Sequence, residues 1–164
     1  MRKKILVLLL TALTLFALAG TLVACGNEGT DTPPADENLN PREAELVPLE
    51  IVKVNTTQQT VANAIEMTNF QVVFKHSPEE WNALSSERKR ELAQGAYDKM
   101  IEWINADGIS NFHIQGVSSY DKDAGETAQM AFFMSYDESL LKIYTGTDGT
   151  GKGIVTDELP INLP

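Results

Sequence analysis

Gly146-Thr147-Asp148-Gly149-Thr150-Gly151-Lys152-Gly153 is the stretch whose types and spacing come closest to a chemical signature. It follows the phosphate-binding pattern G-x-x-x-x-G-K-[ST] until the last position. There Gly153 stands where a Ser or Thr hydroxyl would hold Mg²⁺. The pattern also needs a helix after it, so that the helix N-terminus faces the phosphates. Only Ile154 to Pro164 remain, with two prolines among them. The expectation is a glycine-rich turn and no nucleotide site.

A second stretch, Asp121-x-Asp123-x-Gly125-Glu126, has the opening spacing of a calcium loop. The third ligand position is Gly125, the glycine position is Glu126, and the closing carboxylate position is Phe132. Acids and glycine are also ordinary turn residues, and a hairpin loop is expected here. The two histidines, His76 and His113, have no cysteine partners with which to form a zinc site. No G-x-S-x-G marks a nucleophile. A spatial Ser-His-Asp arrangement stays open, because such triads are not read from spacing. Trp81, Tyr97, Trp103 and Tyr120 are candidates for a stacking surface. At helical spacing, however, Tyr97 belongs to a core and Trp103 to its margin. No catalytic residue, cofactor or metal ligand is assigned.

The elements that must position these residues are clearer. Ser77-Pro78-Glu79-Glu80 combines an N-cap serine, a proline at the first helical position and a glutamate three after the cap. A short helix starts there, with Trp81 and Leu84 on its apolar edge. Ser85-Ser86 offers a second cap for a longer helix. Leu92, Ala96, Met100 and Ile104 recur every four residues in it, and Ala93, Tyr97 and Ile101 widen the stripe. The run Glu87 to Glu91 reads as a solvated charged face. Gly108 ends the helix. Phe112, Ile114 and Gly116 alternate as a strand, as do Met130, Phe132, Met134 and Tyr136, and Leu141 with Ile143. Phe70 to Lys75 and Leu49 to Val54 are upstream strands, while Thr57 to Thr68 suits helix and strand equally. The fold class is therefore α+β: one main helix, preceded by a short one, across an antiparallel sheet of about four strands.

Residues 49–164 form a single domain by length. They carry 17 acids against 9 bases, a net charge of −8. Such a domain is repelled by anionic lipid and is a poor nucleic-acid ligand. Residues 26–48 differ: four prolines, six acids and three large aliphatics. That composition predicts a disordered acidic tether, its ends on the order of 25 Å apart.

Ahead of the tether, Arg2, Lys3 and Lys4 precede the apolar run Ile5 to Ala19, which gives way to small residues and Leu22-Val23-Ala24-Cys25. Basic head, apolar core and small-residue exit make an export signal. The last four residues resemble the lipobox of bacterial lipoproteins. The resemblance covers residues 1–25 only. It implies a signal peptide over residues 1–24, cleavage before Cys25, lipid attachment at Cys25 and a cell-membrane location facing outside the cytoplasm. Ile5 to Ala24 would also suffice as an uncleaved spanning helix. Against that stand Gly20 and Thr21 before the junction, Cys25 as the sole cysteine, and the abrupt polar switch at Gly26 to Thr30. With the thiol acylated, no disulfide is available to the mature chain.

The expected partners are the bilayer, through acylated Cys25, and an envelope protein or wall component; nucleic acid and nucleotide are not expected. Three function classes follow: the first is a non-catalytic tethered binding or accessory module, and the second a small envelope hydrolase using an acid pair with His76 or His113. A ligand-loading or transporter-associated role is the third.

Overall fold

A computed structural model describes residues 41–61 and 65–163. Cys25, the expected signal peptide over residues 1–24 and the expected tether up to residue 40 lie outside the described residues. Helix α1 (Pro41–Ala44) and a 3-10 turn (Val47–Leu49) lead into strands β1 (Ile51–Val61) and β2 (Ile65–Phe74). Helices α2 (Pro78–Ala83) and α3 (Ser86–Ala106) follow, then β3 (Phe112–Val117), β4 (Met130–Ser135), β5 (Leu140–Thr147) and β6 (Gly153–Pro160).

The chain is α+β, as its pattern predicts, but the sheet has six strands in the order β1-β2-β3-β4-β5-β6. It is not wholly antiparallel. β2 and β3 run parallel, Phe70 opposite Ile114 and Val72 opposite Gly116. The reason is the helical connection between them: a crossover helix returns the chain to the same end of the sheet. β6 is the strand that the sequence pattern does not predict, and β1 and β2 run longer than predicted. The ambiguous Thr57 to Thr68 falls largely on the β1–β2 ladder, where Thr57 faces Asn69 and Gln59 faces Met67. Polar β-branched residues read weakly as strand because their fit is set by cross-strand partners. β6 follows the glycine-rich turn despite Pro160, which sits at its end on the sheet edge.

Both helix starts match the serine caps. The Ser77 hydroxyl accepts from the Glu80 N–H at 3.3 Å, and Glu80 accepts from the Ser77 N–H at 2.8 Å. Ser85 accepts from the Arg88 N–H at 3.1 Å. After Ala106 the chain leaves the helix, and Gly108 takes φ +66°.

α3 lays Leu92, Ala93, Ala96, Tyr97, Met100 and Ile104 on one face of the sheet. They meet Phe70, Val72, Phe112, Ile114, Phe132 and Ile143. Gly116 lies opposite Phe132 in the β3–β4 pair; a Cβ there would overlap the Phe132 ring. The missing side chain makes room for the aromatic cluster.

Two expectations are corrected by burial. The tether does not extend to residue 48. Leu46 is 4 % exposed and belongs to the core, Arg42 forms a bidentate pair with Asp107, and Trp103 donates to Glu45 at 3.1 Å. One well-placed leucine outweighs the prolines and acids around it. The charged run on α3 is not wholly solvated either. Lys89 is 5 % exposed. Its Nζ donates to the Asn82 carbonyl at 3.0 Å and to Thr145 Oγ1 at 2.9 Å. Burial pushes its pKa down. The ammonium ties the end of α2 to β5, a place that suits a cation.

Candidate functional site

The glycine-rich stretch is the β5–β6 turn. Asp148 Oδ1 accepts from Thr150 N–H at 2.8 Å, Thr150 Oγ1 at 2.6 Å and Lys152 N–H at 2.9 Å. The amides that would cradle a phosphate thus point at a carboxylate, and a strand follows instead of a helix. In the Asp121 loop, Asp121 Oδ1 accepts from the amides of Asp123 and Ala124, and Glu126 accepts from the Asp121 N–H at 2.7 Å. Those acids close the turn. Among the described residues no group of three or more His, Cys, Asp or Glu could hold a metal ion.

The aromatic candidates are separated. Trp81 is fully buried and Tyr97 nearly so. Trp103 is half-buried beneath the Arg42 guanidinium, 5.1 Å from its ring centre. Tyr120 stands alone on the face away from the helices, its hydroxyl 3.3 Å from Gln71 Oε1. The histidines are also far from each other in role. His113 lies against the Phe133 ring at 4.6 Å, and its buried Nε2 has no hydrogen-bond partner. Burial pushes its pKa down, more than the Met134 carbonyl raises it. No carboxylate is among its partners.

His76 does meet an acid. Its Nε2 is 2.5 Å from Glu50 Oε2. Glu50 Oε1 also receives Lys75 Nζ at 3.1 Å and the Arg88 guanidinium at 3.3 Å. Glu50 itself has φ +57°, a left-handed conformation that costs roughly 1–2 kcal/mol for a side chain with a Cβ. Three partners on one carboxylate offset that cost. They fasten the start of β1 to the end of β2 and to α3. Burial pushes the Glu50 pKa up, but the His76 hydrogen bond and the Lys75 and Arg88 charges outweigh it and hold it at about 2.

A carboxyl depressed below its unfolded value stabilises the fold above the unfolded pKa of 4.5 and loses that contribution as pH falls toward about 2. With the side chain 22 % exposed, solvent screening reduces the contribution to about 1–2 kcal/mol. Glu50→Gln should therefore be less stable than the wild type at pH 7, and urea melts should show the gap closing between pH 5 and pH 2. A gap independent of pH would remove the ionic role.

The surface most open to a partner is the outer edge of β1, which sequence periodicity did not mark. β1 ends the sheet, and among the described residues no backbone hydrogen bond reaches it from Val52 to Thr60 except from β2. It carries one charge, Lys53, and no proline. A groove of about 640 Å³ borders it on the helix side, with Leu46, Val47, Ile51, Val54 and Trp103 among its apolar lining and Arg42, Glu43, Glu50, Lys53 and Lys75 among its charged lining. A second groove of about 680 Å³ borders it on the opposite face, with Lys53, Asn55, Gln71, Tyr120 and Lys122. The signal available in sequence was the run Val52 to Thr60 with no proline and a single charge, which is how an unguarded edge reads. β6, the other edge, is blunted by Asp157, Glu158 and Pro160, and Arg90 of α3 pairs with Asp157.

No protein-family model, no curated protein and no solved structure matches this chain. Among the described residues no helix is long and apolar enough to cross a membrane.

Proposed function

We propose that this protein is a lipid-anchored, extracytoplasmic binding module, held at the cell membrane through acylated Cys25 and presenting the edge of β1 to a partner. The observation that carries the binding role is that unguarded edge between two grooves. The anchor rests on the lipobox-like Leu22-Val23-Ala24-Cys25 behind a basic head and apolar run. Dual acylation gives stable anchoring where one chain alone does not.

The hydrolase reading has one contact in its favour, His76 on Glu50. A general base needs a nucleophile or water poised beside it. Here the neighbouring Ser77 hydroxyl caps α2, and Lys75 and Arg88 occupy the other oxygen of Glu50. The pair serves as a clasp.

Two measurements test the proposal. Intact mass of the membrane-extracted protein should fit a chain starting at an acylated Cys25, and Cys25→Ser should remain unprocessed and unlipidated. An unlipidated wild type that retains residues 1–24 would sink the anchor. In-place crosslinking in membranes should yield a discrete adduct.

A further inference from the structure

We propose that β1 recruits its partner by strand addition, and that the partner segment is an extended peptide alternating apolar and acidic residues. This rests on the binding-module reading and names the chemistry of its ligand. Successive side chains of an added strand point to opposite faces of the sheet. On this edge the two faces differ. Toward the helices lies a groove whose apolar wall is Leu46, Val47, Val54 and Trp103, with Arg42, Glu43, Glu50 and Lys75 at its charged margin. Away from them lies a groove containing Lys53 and Lys122 and no Asp or Glu. Both lysines are exposed, and neither forms an ion pair with a described residue. In a domain of net charge −8 over residues 49–164, this groove is a local positive site. At the Lys53–Val54 end of β1, a seated strand places residues of one face against the Val54 and Trp103 side and residues of the other against two ammonium groups. Its backbone meanwhile completes the ladder that β1 leaves open.

Charge also argues against a second copy of this chain as occupant. β1 contributes Lys53 and no acid, so pairing two β1 edges would bring lysine to a groove that already holds two. The irregularity between Ile51 and Lys53, which turns Val52 outward at 62 % exposure, limits strand addition to the stretch from Lys53 onward.

The test uses the purified full chain in detergent and a fluorescent nine-residue peptide alternating valine and glutamate. Saturable binding is expected, weakening with added salt. A valine–lysine peptide should not bind. Lys53→Glu combined with Lys122→Glu, two exposed positions whose melting curve checks the fold, should weaken binding by about tenfold or more. Two peptides N-methylated on alternate amides separate strand addition from simple charge attraction. The isomer methylated toward β1 should lose binding, and the isomer methylated away from it should keep it. Equal behaviour of the two isomers, equal binding of the lysine peptide, or sedimentation of the chain as an edge-paired dimer would overturn the proposal. If membrane crosslinking gives the same adduct with wild type and the double variant, the edge is refuted while the binding-module reading stands. If the peptide fails to bind and crosslinking yields no adduct, both fall.

Discussion

Trp81→Ala should destabilise the domain by about 3–5 kcal/mol, the largest loss expected from any single side chain. Trp81 is fully buried at the start of the chain's crossover, where α2 meets the sheet. Its ring stacks on Phe74 with centroids 4.9 Å apart, and Phe74 in turn meets Phe132 edge-on at 6.0 Å. The indole N–H donates to the Tyr144 carbonyl at 2.9 Å, so one side chain joins α2, β2 and β5. Alanine leaves a cavity beneath two aromatic rings and a carbonyl without its donor. Trp81→Phe keeps most of the apolar volume and should cost less, with the lost hydrogen bond contributing about 1 kcal/mol of its effect. Small domains hold roughly 5–15 kcal/mol in total, so the alanine variant sits near the edge of folding. Chemical unfolding of the full chain followed by circular dichroism measures both. An alanine variant within about 1 kcal/mol of wild type would mean that the aromatic cluster does not hold α2.

Leu46→Ala is the second, at about 2–4 kcal/mol. Its outcome decides where the folded domain begins. The polar contacts of this segment contribute little: Arg42 and Asp107 are both over 40 % exposed, and water screens such a surface pair. The apolar burial of Leu46, with Leu49 packed against the same core, is what holds residues 41–49 to α3. Removing everything before Leu49 should therefore lower the melting temperature by on the order of ten degrees. Melts that agree within a degree for the full chain, Leu46→Ala and the shortened chain would return this segment to the tether. The two losses should add, because Leu46 and Trp81 share no hydrogen-bond partner and act on different helices.

These outcomes bear on the proposed function as well. Leu46 and Val47 form part of the apolar groove beside β1. A segment read as tether thus lines the candidate binding surface. Loosening it should weaken an apolar ligand residue before it affects contacts at Lys53 and Lys122 on the opposite face.

By itself the sequence determined the two helices, their serine caps, the α3 core stripe and the α+β class. Those are local properties: a cap, a period of 3.6 and a glycine stop act within a few residues of one another. It also determined that the Asp148 and Asp121 stretches would be turns, because their hydrogen bonds close within the stretch. Tertiary structure decided the rest. Thr57 to Val61 and Ile65 to Thr68 became strand because β1 and β2 pair with each other and β3 flanks β2, and β6 formed because β5 offered it an edge. The parallel β2–β3 junction followed from the helical crossover, not from any pattern in either strand. Leu46 and Lys89 were read by their polar neighbours, yet both are buried, since burial depends on which surface α3 and the sheet bring to them. The meeting of Glu50 with His76 and Arg88 and the pairing of two unlike grooves on one edge arise the same way. Residues 26 to 38 positions apart in Glu50's case are joined by packing, and no local period encodes that.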